Sequence, residues 1–133
     1  MDVERINASE LARPSGFSHA VSVTASRMVF LAGQVGVARD GTVVSGGVVA
    51  QFEQALANLL TALAAAGGQP GDLVSLTIYI VDLPDYQAHG KQIGAVWRRL
   101  AGTDYPAVAG VGVTQLWDPD ALVELQGVAA IGP

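Results

Sequence analysis

Residues 105–131 constrain the fold most, because their pattern suits only extended chain. The run from Tyr105 to Ile131 reads as two β-strands joined by a turn rich in Asp and Pro, Asp118-Pro119-Asp120. Strand side chains alternate between faces. Glu124 therefore shares a face with Leu122, Gln126 and Val128, whereas Val123, Leu125 and Ala129 point the other way. On the first strand Val108, Gly110, Gly112 and Thr114 share one face, and Ala107, Ala109, Val111 and Val113 the other. One carboxylate stands inside an otherwise apolar strand, and the remaining chain reads as a scaffold that places these two strands.

Upstream, residues 1–16 read as an irregular lead ending in the loop signal Arg13-Pro14-Ser15-Gly16. Ser18 to Thr24 alternates, with His19, Val21 and Val23 on one face, and Met28 to Ala32 is an apolar run. Together they predict a hairpin. Gly33-Gln34-Val35-Gly36 follows, and its glycines permit a bulge or a close backbone approach. Asp40-Gly41 marks a turn before a short strand, Thr42 to Val44. Residues 48–66 carry the clearest helical period, through Val48, Phe52, Ala55, Leu56, Leu59, Leu60 and Leu63. Gln51, Gln54, Asn58 and Thr61 lie largely between those positions, and Gly67-Gly68 ends the helix. Leu73 to Val81 is a strand rich in branched residues. A second helix begins at Asp82-Leu83-Pro84-Asp85, with Asp82 as its cap and Tyr86, Gly90, Ile93, Trp97 and Leu100 as its inner stripe. Arg98-Arg99 suits the dipole at its end. The order β, β, short β, α, β, α, β, β predicts an α+β domain, one mixed sheet with two helices on one face.

The opposite sheet face has no helix left to cover it. Only 14% of the 133 residues are charged, against about a quarter in an ordinary soluble chain. A single domain, 1–133, with so few charges is expected to bury that face in a homo-oligomer. Richness in Ala and Gly is the competing explanation. The net charge of −5 and the absence of a basic run argue against nucleic acid as a partner. The protein is expected to show no submicromolar RNA binding at physiological salt; such binding, weakening steeply as salt rises, would overturn this. The chain has no cysteine, so disulfides and thiol chemistry are excluded. No spacing of His and acids suits a metal. No segment of signal-peptide type follows the N-terminus, and no apolar run approaches membrane-spanning length. The expected location is the cytoplasm, with no membrane partner.

With these pieces in order the chain resembles the Rid family (RidA/YjgF, the reactive-intermediate deaminases), from roughly Ile6 to Ile131. The anchors are Gly16-Phe17-Ser18-His19-Ala20-Val21, Phe30-Leu31-Ala32-Gly33-Gln34-Val35, Gln51 to Gly67, Asp72 to Ile80, Tyr105-Pro106-Ala107 and Leu122-Val123-Glu124-Leu125. The resemblance implies a chorismate-mutase-like fold, a homotrimer and small-molecule clefts between subunits. It also implies cofactor-free hydrolysis of imines and enamines to a ketoacid and ammonia. An older family name, endoribonuclease L-PSP, implies an RNase or translation-inhibitor role. Glu124 matches the family's water-positioning glutamate and Gly33 a backbone contact to the ligand. The family's carboxylate-gripping arginine is Val108 here, the positions after it are Ala109 and Gly110, and its tyrosine is Phe17.

Each candidate carries two readings. Glu124 is a general acid/base or water holder, or an ordinary sheet carboxylate. His19 is a possible proton shuttle or a structural strand residue. Phe17, Val108 and Trp117 line an apolar ligand wall, or pack an interface. Gly110 with Gly112 opens space for a bulkier ligand, or permits close subunit approach. The expected function is a cofactor-free hydrolase or deaminase of a small imine, enamine or related C–N metabolite, not a standard 2-iminobutanoate deaminase. The alternatives are a non-catalytic trimeric binding module and an interaction or chaperone-like protein.

Overall fold

The computed structural model describes residues 2–133; Met1, part of the expected irregular lead, lies outside them. The strands are β1 (Asp2–Ile6), β2 (Ala20–Thr24), β3 (Arg27–Val35), β4 (Leu73–Ile80), β5 (Ala107–Gly112) and β6 (Val123–Ile131). The helices are α1 (Gly47–Ala65), α2 (Leu83–Ala88) and α3 (Gly90–Ala101). Four strands form one mixed sheet in the order β3-β6-β4-β5. In it β6 runs antiparallel to both β3 and β4, and β5 runs parallel to β4. The two C-terminal strands thus sit on either side of β4, so their linker crosses the end of the sheet.

The expected hairpin of β2 with β3 does not form. The lead contains β1, whose Val3 and Arg5 are half-buried while Asp2 and Glu4 are exposed. That period of two gives β2 its antiparallel partner in a separate ribbon. At the following bend the Ser26 N–H donates to the Ile131 carbonyl at 3.2 Å, and β3 continues along β6 instead. The short strand expected at 42–44 is reduced to a single bridge, Val37 to Val43. The second helix is split at His89, whose φ of −105° and ψ of 18° interrupt the turn. Asp82 caps its first piece, accepting from the Asp85 N–H at 3.1 Å.

Helix α1 lays Val48, Phe52, Ala55, Leu56, Leu59 and Leu63 on the sheet. They meet Leu76, Ile78, Ile80, Val123, Leu125 and Ala129, all buried. Contrary to expectation, α1 is long and apolar enough, by length and composition alone, to cross a bilayer. Its burial against the sheet makes it the core helix of this domain. Gln51 also departs from its expected polar setting. It is buried, donating to the Asp120 carbonyl at 3.3 Å and accepting from the Leu122 N–H at 2.8 Å. It thereby fixes where β6 begins.

The other sheet face is open. Phe30 is 78% exposed there, beside half-buried Val128, and Val111 is also exposed. Burying an aromatic of this size stabilises by about 1.5–3 kcal/mol.

Candidate functional site

Glu124 stands on this open face, as the alternation predicts. Its strand neighbours Val123 and Leu125 are fully buried on the helix side. Across the sheet it lies opposite Tyr79 on β4 and Val35 on β3. Among the described residues it has no ion-pair partner. The β3–β6 register shifts between Leu31 and Gln34, so β3 bulges at Ala32-Gly33. A Cβ at Gly33 would overlap Glu124 Oε2 and sit 2.9 Å from its carboxyl carbon. Any larger residue there would push the Glu124 carboxylate into another rotamer, so glycine lets the bulged backbone lie against it as it stands. Two amides of α1 hold the surroundings. Gln51 fixes the start of β6, and Asn58 donates to the carbonyls of Val35 and Val37 at 3.2 and 2.9 Å. On the same face the Tyr79 hydroxyl donates to Gln126 Oε1 at 3.1 Å.

Val108 lies on the other face. It pairs with Leu76 and packs against the core. Gly110 follows on the same side, opposite Ile78, and a Cβ there would sit 3.8 Å from Ile80 Cδ1. Val108 forms part of the floor of a cleft of about 340 Å³ between the sheet and α2–α3. Leu76 and Ile78 complete that floor, Phe52, Tyr86 and Trp97 stand along its walls, and Lys91 and Arg98 also line it. Burial pushes the Tyr86 phenol up to about 12. Its unfolded value is near 10, so the stability tied to the neutral phenol is complete below about pH 10 and lost as pH rises towards 12. Urea unfolding across that window should show a loss of stability that Tyr86→Phe removes. An identical pH slope in the variant would mean the phenol titrates as it does in water.

Phe17 sits beside the cleft, in a recess of about 430 Å³ that shares Gly16 and Tyr105 with it and also contains Arg5 and Arg13. Ser18 anchors this segment to β5. Its N–H donates to the Pro106 carbonyl at 3.0 Å and its hydroxyl to the Tyr105 carbonyl at 2.8 Å. His19 is tied into the loop. Nδ1 accepts from the Ala8 N–H and Nε2 faces the Ala12 carbonyl, both at 3.0 Å, so both ring nitrogens are engaged by the loop backbone. Trp117 is fully exposed on the linker into β6.

One chain therefore brings Glu124 and Gly33 together and holds Val108 and Gly110 on the opposite face. Tyr86 and Arg98, read from the sequence only as a helix-stripe and a helix-end residue, line the cleft together with Lys91, which the sequence reading did not single out. Lys91 and Arg98 are seven apart, two helical turns on one face, a spacing visible in the sequence.

A bulge glycine against a lone β6 carboxylate, on a β3-β6-β4-β5 sheet backed by two main helices, can be compared with known proteins. The family model described as Endoribonuclease L-PSP matches residues 8–131. The chain belongs to the Rid family. It is 30% identical over 132 residues to a goat (Capra hircus) 2-iminobutanoate/2-iminopropanoate deaminase, covering 98% of this chain and 93% of that protein. The Rid-family protein YyfB of Yersinia pestis superposes with a TM-score of 0.85 at 36% identity, covering 98% of this chain and all of that one. The YjgF gene product of E. coli gives 0.69 at 28% identity, covering 86% and 87%. Like these Rid structures, this member has the YjgF/RidA fold.

Proposed function

We propose that this Rid protein is a cofactor-free hydrolase of a small imine, enamine or related C–N compound. The single observation that carries the reading is the Glu124 carboxylate lying beside the Gly33 backbone on an open sheet face. Glu124 takes a proton from water as its oxygen attacks the C=N carbon, then returns it to nitrogen. The carbinolamine collapses to a carbonyl compound and ammonia, so imine plus water balances the products. Relatives named as imine deaminases at about 30% identity support the class of reaction.

Glu124 and Val108 lie on opposite faces of one sheet, so a site using both needs a second copy. We place Glu124 of one subunit against the cleft of a neighbour, in a homotrimer that covers Phe30. Light scattering should give three times the monomer mass, and Phe30→Asp should lower it to one. A stable wild-type monomer at micromolar concentration would remove both the assembly and the shared site. Catalysis itself is tested by ammonia release from freshly generated aliphatic and aromatic imines. Wild type should exceed buffer, and Glu124→Gln should lose about 100-fold or more, the usual range for a positioned acid–base group. Turnover unaffected by Glu124→Gln would exclude this mechanism. The absence of any turnover would favour the second reading, a non-catalytic binding module. The apolar Val108 in the cleft floor is the observation behind that alternative.

A further inference from the structure

The cleft contains more polar chemistry than its floor suggests. Arg98 and Arg99 are neighbours on α3 with different settings. Arg99 is ion-paired with Glu53, whereas among the described residues neither Arg98 nor Lys91 has an acidic partner. Both unpaired cations line the cleft, together with Gly94 between them. A Cβ at Gly94 would sit 3.3 Å from Arg98 Nη1, so the missing side chain lets the guanidinium lie back along the helix. Trp97, only 8% exposed, lines the same cleft, and its Nε1–H has no acceptor among the described residues. A buried donor without a partner is costly, which leaves the Trp97 side of the cleft incompletely satisfied in the free protein. Phe52, Leu76, Ile78 and Val108 offer such a ligand only apolar surface.

We propose that this cleft binds a small carboxylate with an aromatic-sized apolar body, the body on the strand floor and the carboxylate at Lys91 and Arg98 on the helix wall. The anion anchor has moved from β5 to α3, and this deepens the proposed function by naming the ligand class of the same site. Guanidinium holds carboxylate through paired charge-assisted hydrogen bonds. The ordinary alternative is that both cations are merely solvated on an exposed helix face. An acid of three or four carbons fills little of a cleft of about 340 Å³ and gains little from its apolar floor.

The test is calorimetric titration with 3-phenylpropanoate, its neutral amide 3-phenylpropanamide, and propanoate. Wild type should bind 3-phenylpropanoate at least about tenfold more tightly than either comparator. Arg98→Ala should weaken it by about tenfold or more, Lys91→Ala by less, and neither should change binding of the amide. Arg98→Lys should recover part of the loss, and Arg39→Ala, in a separate recess with Gln54 and Asn58, should have no effect. Thermal melts should match wild type, since Arg98 and Lys91 are exposed. The Trp97 indole N–H resonance should shift on saturation. Equal affinity for acid and amide, unchanged affinity in both alanine variants, or no saturable binding of 3-phenylpropanoate would each overturn the proposal. Binding is read here without turnover. A protein that binds the acid through Arg98 yet hydrolyses no imine therefore keeps this inference and loses only the hydrolase reading.

Discussion

Freshly generated 2-iminobutanoate should be hydrolysed about 30- to 1,000-fold less efficiently by this protein than by a relative with arginine at the position of Val108. A carboxylate entering the cleft must leave water. A bidentate guanidinium replaces that water with two charge-assisted hydrogen bonds, each worth roughly 1.5–3 kcal/mol. Val108 supplies neither, and its methyls desolvate the anion without a partner. The net loss is about 2–4 kcal/mol, allowing for partial solvation of the substrate. In the proposed shared site, Glu124 of a neighbouring copy would add repulsion of the unpaired carboxylate. Lys91 and Arg98 line the cleft from the helix, not from the strand position of Val108, and in the proposal above they favour acids with a larger apolar body. The assay compares wild type, Val108→Arg and the double variant Val108→Arg/Glu124→Gln. Activity should rise in the first and fall again in the second. Wild-type turnover equal to that of the arginine-bearing relative would refute the argument. Imines of longer apolar acids should instead be better substrates than 2-iminobutanoate for the wild type.

Leu59→Ala should destabilise the fold by about 2–5 kcal/mol. Leu59 is fully buried at the centre of α1, in the same core as Leu125 and Val123 of β6. Truncation removes apolar contacts and leaves a cavity that a close-packed helix–sheet interface fills poorly. For a chain of this size each kcal/mol lowers Tm by several degrees, so the melt should fall by about 10 °C or more. Protein concentration must be held constant, because any assembly would add to apparent stability. A shift below a few degrees would mean that α1 repacks freely over the sheet. In that case Gln51 and Asn58 would not hold β6 and the Gly33 bulge in fixed register.

Local pattern carried much of this fold. The period of α1, the strand character of β4, the cap at Asp82 and the alternation that separates Glu124 from Val123 and Leu125 all follow from spacing along the chain. Such features depend on neighbours a few residues away, which a sequence displays directly. The resemblance of ordered motifs pointed to the family. The bulge was foreshadowed by Gly33, although its purpose, space for the Glu124 carboxylate, depends on a residue 91 positions further on (124 − 33).

Strand partnership was decided only in three dimensions. Nothing local tells β2 to pair with β1, or β3 with β6, because a period of two fits any partner of matching face. The split between Glu124 and Val108 is likewise a matter of register. Each strand's alternation was legible, but which of its faces meets the helices depends on pairing through β4. Lys91 and Arg98 read as helix charges until α3 was laid beside β5. By itself the sequence determined which side chains share a face. The tertiary structure decided which faces meet, since that is settled by burial of the whole sheet against α1 and α3.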